Sequence, residues 1–144
     1  MKIWNKEFSL DDLNKHSNKT LGHFLGIEFT EIGDNYIVAT MPVNDRTKQP
    51  AGLLHGGASV VLAETLGSVA SHCVIDTEKF QAVGLEINAN HLRPVFSGSV
   101  IGICTPIHIG NKTHVWEIKM YKGEDKLNCI SRLTVSIIPK MEKE

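Results

Sequence analysis

The apolar positions along the chain change period twice, and the changes divide it into three stretches. Phe24 to Ile32 and Tyr36 to Val43 read as strands, with Ile37, Ala39, Met41 and Val43 on one face of the second by alternation. Gly33-Asp34 between them is a tight-hairpin signal. A polar loop over residues 44–54, carrying Pro50 and Gly52, then leads into a helical stretch from Gly56 to Ile75. Val60, Val61, Leu62, Ala63, Leu66, Val69, Ala70, Cys73 and Val74 make this helix apolar almost all round, so it is expected to be buried. Its small residues, Ala58, Ser59, Ala63, Gly67, Ser68, Ala70 and Ser71, would let a sheet come close. The pattern then turns to alternation: Val83, Leu85, Ile87, Ala89 and His91 share one phase. Further strands fall near 98–109, 113–122 and 126–138, with turns at Gly110-Asn111 and Gly123-Glu124. Ahead of all this, Ser9 can cap a short helix with Asp12 at its third position and Phe8 and Leu13 as the flanking staple.

Two strands, a buried helix and about four more antiparallel strands define an α+β chain in which one long sheet wraps round a central helix. Such a sheet keeps open edges, so pairing with a second copy is expected. No repeat, low-complexity tract or Pro/Gly/Ser-rich linker interrupts the order, and residues 1–144 are read as a single domain.

Composition acts mainly by exclusion. Fifteen basic against sixteen acidic side chains give a formal net charge of -1. The molecule as a whole is therefore not drawn to nucleic acid or to an anionic membrane, although a local basic cluster can still hold a phosphorylated ligand. The three cysteines, Cys73, Cys104 and Cys129, form no C-x-x-C pair and have apolar neighbours, which fits reduced thiols in the cytoplasm. The N-terminus lacks the apolar core of a signal peptide, and no uninterrupted apolar run approaches the ~20 residues of a spanning helix. Neither H-x-x-x-H nor H-E-x-x-H occurs, and no metal is expected. G-x-S-x-G, G-x-G-x-x-G and Walker patterns are also missing, which argues against a serine triad or a nucleotide cradle.

Against that background Glu64 demands an account. It sits in the middle of the most apolar segment, where an ionised carboxylate costs several kcal/mol unless paired or solvated. Either it faces solvent or an arginine, or it faces a cleft and serves as general base or nucleophile. Ser68 lies one turn further on the same face. Leu54-His55-Gly56-Gly57 opens the helix, whose first N–H groups have no intrahelical partner and carry the positive end of the dipole. The side-chain-free Gly56 could thus offer its N–H to a carbonyl oxygen. By itself H-G-G marks only a tight turn into a helix. Gln49, in the loop before, could hold a substrate oxygen or water. His91, Arg93, His108 and Lys112 lie at a strand end and the next hairpin, where cations are more often solvated than assembled into a phosphate clamp.

The run Gln49-Pro50-Ala51-Gly52-Leu53-Leu54-His55-Gly56-Gly57-Ala58-Ser59, with Leu62-Ala63-Glu64-Thr65 and Gly67-Ser68, resembles the hotdog-fold thioesterases. So does Gly84-Leu85-Glu86-Ile87-Asn88-Ala89-Asn90-His91. The nearest subgroup carries its glutamate on the central helix and includes thioesterases for 4-hydroxybenzoyl-CoA, for 1,4-dihydroxy-2-naphthoyl-CoA in menaquinone synthesis, and for proofreading aryl carrier proteins. The resemblance runs from about Trp4 to Ile138. It implies a hotdog fold and hydrolysis of an acyl-CoA thioester, with Glu64 as the catalytic carboxylate and the Gly56 N–H polarising the carbonyl. Gln49 and His55 would position thioester and water, and Ser68 would support the hydrolytic step. Coenzyme A contacts would fall on Gly84, on His91, Leu92, Arg93 and Pro94, and on His108, Ile109, Gly110, Asn111 and Lys112. The resemblance further implies a homodimer whose site lies between subunits, commonly doubled to a homotetramer. It implies no cofactor beyond the substrate's own coenzyme A, with an acyl or aryl carrier protein as the alternative donor. A hotdog hydratase would need an Asp/His pair in a different spacing, and an acyl-CoA sensor would need an attached DNA-binding segment; the sequence offers neither.

Overall fold

The computed structural model describes residues 1–144, Met1 to Glu144. Helix α1 (Leu10–His16) starts at the reciprocal cap expected of Ser9: its hydroxyl accepts from the Asp12 N–H at 3.1 Å, and the Asp12 carboxylate accepts from the Ser9 N–H at 2.8 Å. A second short helix, α2 (Leu21–Phe24), occupies residues just before the first strand, and it corrects the sequence expectation that the strand begins at Phe24. The physical reason lies at Gly26, whose φ of 78° turns the chain after one helical turn, so that pairing begins only at Glu28. A side chain at Gly26 would also meet the Pro42 ring at 2.8 Å.

From there the order is β1 (Glu28–Ile32), β2 (Ile37–Pro42), α3 (Gly56–Val74), β3 (Phe80–His91), β4 (Ser99–Ile109), β5 (Thr113–Lys122) and β6 (Lys126–Pro139). All six strands form one antiparallel sheet in the order β1-β2-β4-β5-β6-β3. One face of that sheet packs on α3. Ile37, Met41, Val100, Cys104, Trp116, Ile118, Met120, Leu133 and Val135 join Leu62, Ala63, Leu66 and Ala70 of the helix in a single core. Gly67 makes this approach possible, because a methyl group there would lie 2.5 Å from a Leu133 methyl. Behind the helix the buried Ser71 hydroxyl accepts from the Trp116 indole N–H at 2.7 Å and sits 3.0 Å from His114 Nδ1, pinning α3 to β5. All three cysteines are free and buried.

The helix is not covered all round, as its composition suggested. Val61, Glu64, Thr65, Ser68 and Val69 are only half-buried and His72 is exposed, so one stripe of α3 faces outward beside α1 and α2. By length and composition α3 could cross a bilayer, yet half of it is buried within its own fold. Strand β3 closes one end of the sheet and leaves its outer side unpaired along 12 residues. Its register slips between Gly84 and Glu86, making Leu85 a bulge residue that is 65% exposed. The slip breaks the simple alternation: Val83 and Leu85 turn outward, while Ile87 and Ala89 pack against the core.

Candidate active site

The residues singled out in the sequence fall into three places. The first surrounds the start of α3. His55 is the N-cap, and its Nδ1 accepts from the Gly57 N–H at 2.8 Å. A neutral His55 therefore carries its proton on Nε2, a donor free for other work. The Gly56 N–H has no acceptor within the chain, as the geometry of a helix's first turn dictates. Gln49 stands at the head of a tight turn closed by Gly52 N–H to the Gln49 carbonyl at 2.9 Å, and its side-chain oxygen accepts from the Ala51 N–H. Gln49 and Gly56 share a pocket of about 370 Å³ with Ser59, His91, Leu92, Arg93, Pro94 and Asn128. The His91 ring lies against Gly56, where an added methyl would come within 2.9 Å of its Nε2. The carbonyl of Asn128 accepts from the Leu92 N–H at 2.8 Å and the Arg93 N–H at 3.4 Å, and the Arg93 guanidinium donates to the Leu127 carbonyl at 2.7 Å. The start of β6 thereby fixes the His91–Pro94 segment beside the helix start.

The second place holds Glu64 and Ser68. Both line a groove of about 920 Å³ that α3 forms with α1 and α2, together with Phe8, Leu13, Leu21, Val69, His72 and Cys73. Glu64 is half-buried, facing the groove, and no ion pair accounts for it. Its carboxylate reaches over Gly84, where a Cβ would stand 2.8 Å from the Glu64 oxygen. Gly84 accordingly accompanies Glu64 and is not in the pocket with His91–Pro94, where the sequence had grouped it as a coenzyme A contact. The His72 Nδ1 donates to the Ser68 carbonyl at 2.9 Å, since a carbonyl can only accept.

The third place is the β4–β5 turn, with His108, Ile109, Gly110, Asn111 and Lys112. It lines neither cavity. The registers place it at the opposite end of the sheet from His91–Pro94: His91 is level with Cys129 and Met120, whereas Thr113 is level with Ser136 and Val83. Seven residues of β6 separate the two levels, about 23 Å. One chain thus brings together Gln49 with Gly56 and, separately, Glu64 with Ser68, but not the two pairs, nor the two cation clusters. Sequence reasoning missed three participants: the capping role of His55, the seat that Gly84 makes for Glu64, and Asn128 in the pocket wall. The one available signal for Asn128 was an amide in an apolar strand, Leu127-Asn128-Cys129-Ile130.

An antiparallel sheet around one long helix is the hotdog architecture, and known proteins agree with it. The thioesterase superfamily model matches residues 51–129. The chain belongs to that superfamily and is a thioester hydrolase. It is 49% identical to the 1,4-dihydroxy-2-naphthoyl-CoA hydrolase of Escherichia coli over 94% of this chain and 99% of that protein. It is 47% identical to the proofreading thioesterase EntH of Cronobacter turicensis, over 94% and 98%. Among solved structures, a glutamine-to-alanine mutant of the Pseudomonas aeruginosa thioesterase PA1618 superposes with a TM-score of 0.95 at 47% identity, over 96% of this chain and 100% of that one. The Staphylococcus aureus protein SAV0944 superposes with a TM-score of 0.80 at 42% identity, over 83% and 99%. Its structures include a glutamate-to-alanine and a glutamine-to-alanine mutant, at two positions separated in its sequence as Gln49 and Glu64 are here.

Proposed function

We propose that this thioesterase hydrolyses an aromatic acyl-CoA in a site shared by two chains, with Glu64 as its catalytic carboxylate. The observation that carries the proposal is an unpaired, half-buried Glu64 on a helix whose own free N–H, at Gly56, lies in a different cavity. Two chains pairing antiparallel along their open β3 edges would exchange ends: the Gly56 end of one would lie beside the Glu64 of the other. The same two-fold would bring His91–Pro94 of one chain toward the β4–β5 turn of its partner, assembling the cations into one coenzyme A clamp. A tetramer would follow from the pairing of two such dimers.

In this site the Gly56 N–H, backed by the helix dipole, hydrogen-bonds the thioester oxygen and steadies the negative charge that grows there. His55 Nε2–H and Gln49 orient the thioester and the water. Glu64 either attacks the carbonyl carbon, giving a mixed anhydride that water then opens, or takes a proton from the attacking water. Both routes release the thiol and the free acid, and Ser68 supports the water. Label found in Glu64 after a single turnover in 18O-water identifies the anhydride route, because only water attacking the Glu64 carbonyl of the anhydride leaves its oxygen there. Glu64→Gln should lower kcat by roughly a thousandfold with the fold intact by circular dichroism. Mixing Glu64→Ala with His55→Ala chains should restore roughly a quarter of wild-type activity, since each hybrid dimer regains one complete site. Near-full activity of Glu64→Gln would remove the mechanism, and failure of complementation would remove the shared site.

The acyl group would enter the groove between α1 and α3. Phe8, Leu13, Leu21 and Val69 offer apolar walls there, and His16, Thr20 and His72 offer polar ends suited to a hydroxylated ring. The similarity to the E. coli enzyme supports 1,4-dihydroxy-2-naphthoyl-CoA as substrate. The similarity to EntH favours a second reading, removal of wrongly loaded acyl groups from an aryl carrier protein. A thiol-release screen over 1,4-dihydroxy-2-naphthoyl-, benzoyl- and fatty acyl-CoA and an aryl carrier-protein thioester decides between them by kcat/KM. The buried unpaired thiols fit action in a reducing, cytoplasmic compartment.

A further inference from the structure

The groove between α3 and the pair α1 and α2 has a bias that the hydrolytic step does not use: three of its polar side chains present lone pairs and withhold their protons. The Ser17 hydroxyl donates to the Leu13 carbonyl at 3.0 Å, and the Thr20 hydroxyl donates to the Ser17 carbonyl. His72 Nδ1 donates to the Ser68 carbonyl at 2.9 Å. All three side chains line the groove. A hydroxyl that has donated its proton can only accept, and a neutral imidazole with its proton on Nδ1 has a bare lone pair on Nε2. Because Nδ1 is turned in toward the helix backbone, Nε2 on the far side of the ring is turned out, and it makes no hydrogen bond within the chain.

Position along α3 gives His72 its reach. Glu64, Ser68 and His72 follow one another at intervals of four residues on the outward stripe and line the groove in that order. Folding back onto the Ser68 carbonyl brings the imidazole to about 8 Å from Glu64 along the axis. An aroyl group whose carbonyl carbon faces Glu64 crosses that gap with its ring, so a hydroxyl on the far side of the ring arrives within one hydrogen bond of Nε2. We infer that His72 Nε2 accepts a hydrogen bond from a ring hydroxyl of the acyl group, and so selects hydroxylated aroyl thioesters over those with no proton at that place. The inference rests on the reading above, in which the acyl group lies in this groove with its carbonyl at Glu64. The tautomer decides the sign of the selection: with its proton on Nε2, the same ring would favour an ether or a carboxylate.

The test sets 3- and 4-hydroxybenzoyl-CoA against 3- and 4-fluorobenzoyl-CoA, because fluorine fills the place of the hydroxyl and brings no proton. Each pair is read as a ratio of kcat/KM, hydroxyl over fluoro. The hydroxylated thioester has the less electrophilic carbonyl, so plain reactivity puts both ratios below one. Wild-type enzyme should raise at least one of them above one, a reading that needs no variant to fold. His72 is exposed, so its replacement leaves the core in place. His72→Phe keeps a ring without the acceptor and should cut the raised ratio at least about fivefold. His72→Gln, whose amide oxygen falls near the place of Nε2, should retain most of it. If His72 merely shapes the groove, His72→Phe would slow both members of a pair alike and leave the ratio unchanged, which overturns the assignment. Two wild-type ratios below one overturn it outright. Absence of turnover on all four thioesters would instead overturn the reading of the function, and this contact with it.

Discussion

The Ser71 hydroxyl shows how much one small group can hold. It accepts the indole N–H of Trp116, which leaves its own proton for His114 Nδ1. That arrangement requires a neutral imidazole. Burial pushes the His114 pKa below its ordinary value of 6.5, aided by repulsion from His108 and opposed by a hydrogen bond to the Gly110 backbone. Because the folded pKa lies below the unfolded one, the unfolded chain binds more protons in that window. The contribution is complete above pH 6.5 and is lost as the pH falls below it, through the depressed value. Urea unfolding at pH 7.5 and 5.5 should therefore show lower stability at the lower pH, and His114→Asn should shrink the difference. None of this could be read from the sequence, where His114 looks like an ordinary polar position in an alternating strand. Glu64 was different: a carboxylate among valines and leucines is conspicuous because the energetic penalty of its burial is large. Its lack of an ion pair is what the fold added.

At the scale of elements, the long apolar helix and the last three strands were legible because each repeats one period over many residues. Failures came where a single residue resets the geometry. Gly26 moved the start of β1, and the Leu85 bulge broke the alternation of β3, since one inserted residue turns every later side chain by one phase. The bulge at Leu85 lies immediately after Gly84, where β3 leaves room for the Glu64 carboxylate. Gly84→Ala should push that carboxylate aside. A displacement approaching 1 Å would lower kcat by about tenfold to a hundredfold, with little change in melting temperature. Steady-state kinetics beside a thermal melt checks this.

On the scale of the whole molecule, the long unpaired side of β3 and the partition of site residues between two cavities are what the proposed shared site would account for together. Sequence pattern could suggest open edges but not which groups would lie on the same side of a sheet, because that depends on register. If two chains pair along β3 as proposed, Leu85→Asp would place like charges near their two-fold and should shift the protein toward monomer in sedimentation velocity, with activity falling in proportion.

The three buried thiols give this molecule a built-in clock. Burial pushes Cys73 up to about 12, Cys129 to about 11 and Cys104 higher still, so at neutral pH almost none is ionised while the fold is closed. Alkylation by iodoacetamide must then wait for the structure to open, and its pace counts openings instead of collisions. Cys73, at the floor of the groove, should acquire the mass label first; Cys104, in mid-sheet, should acquire it only when the whole sheet comes apart.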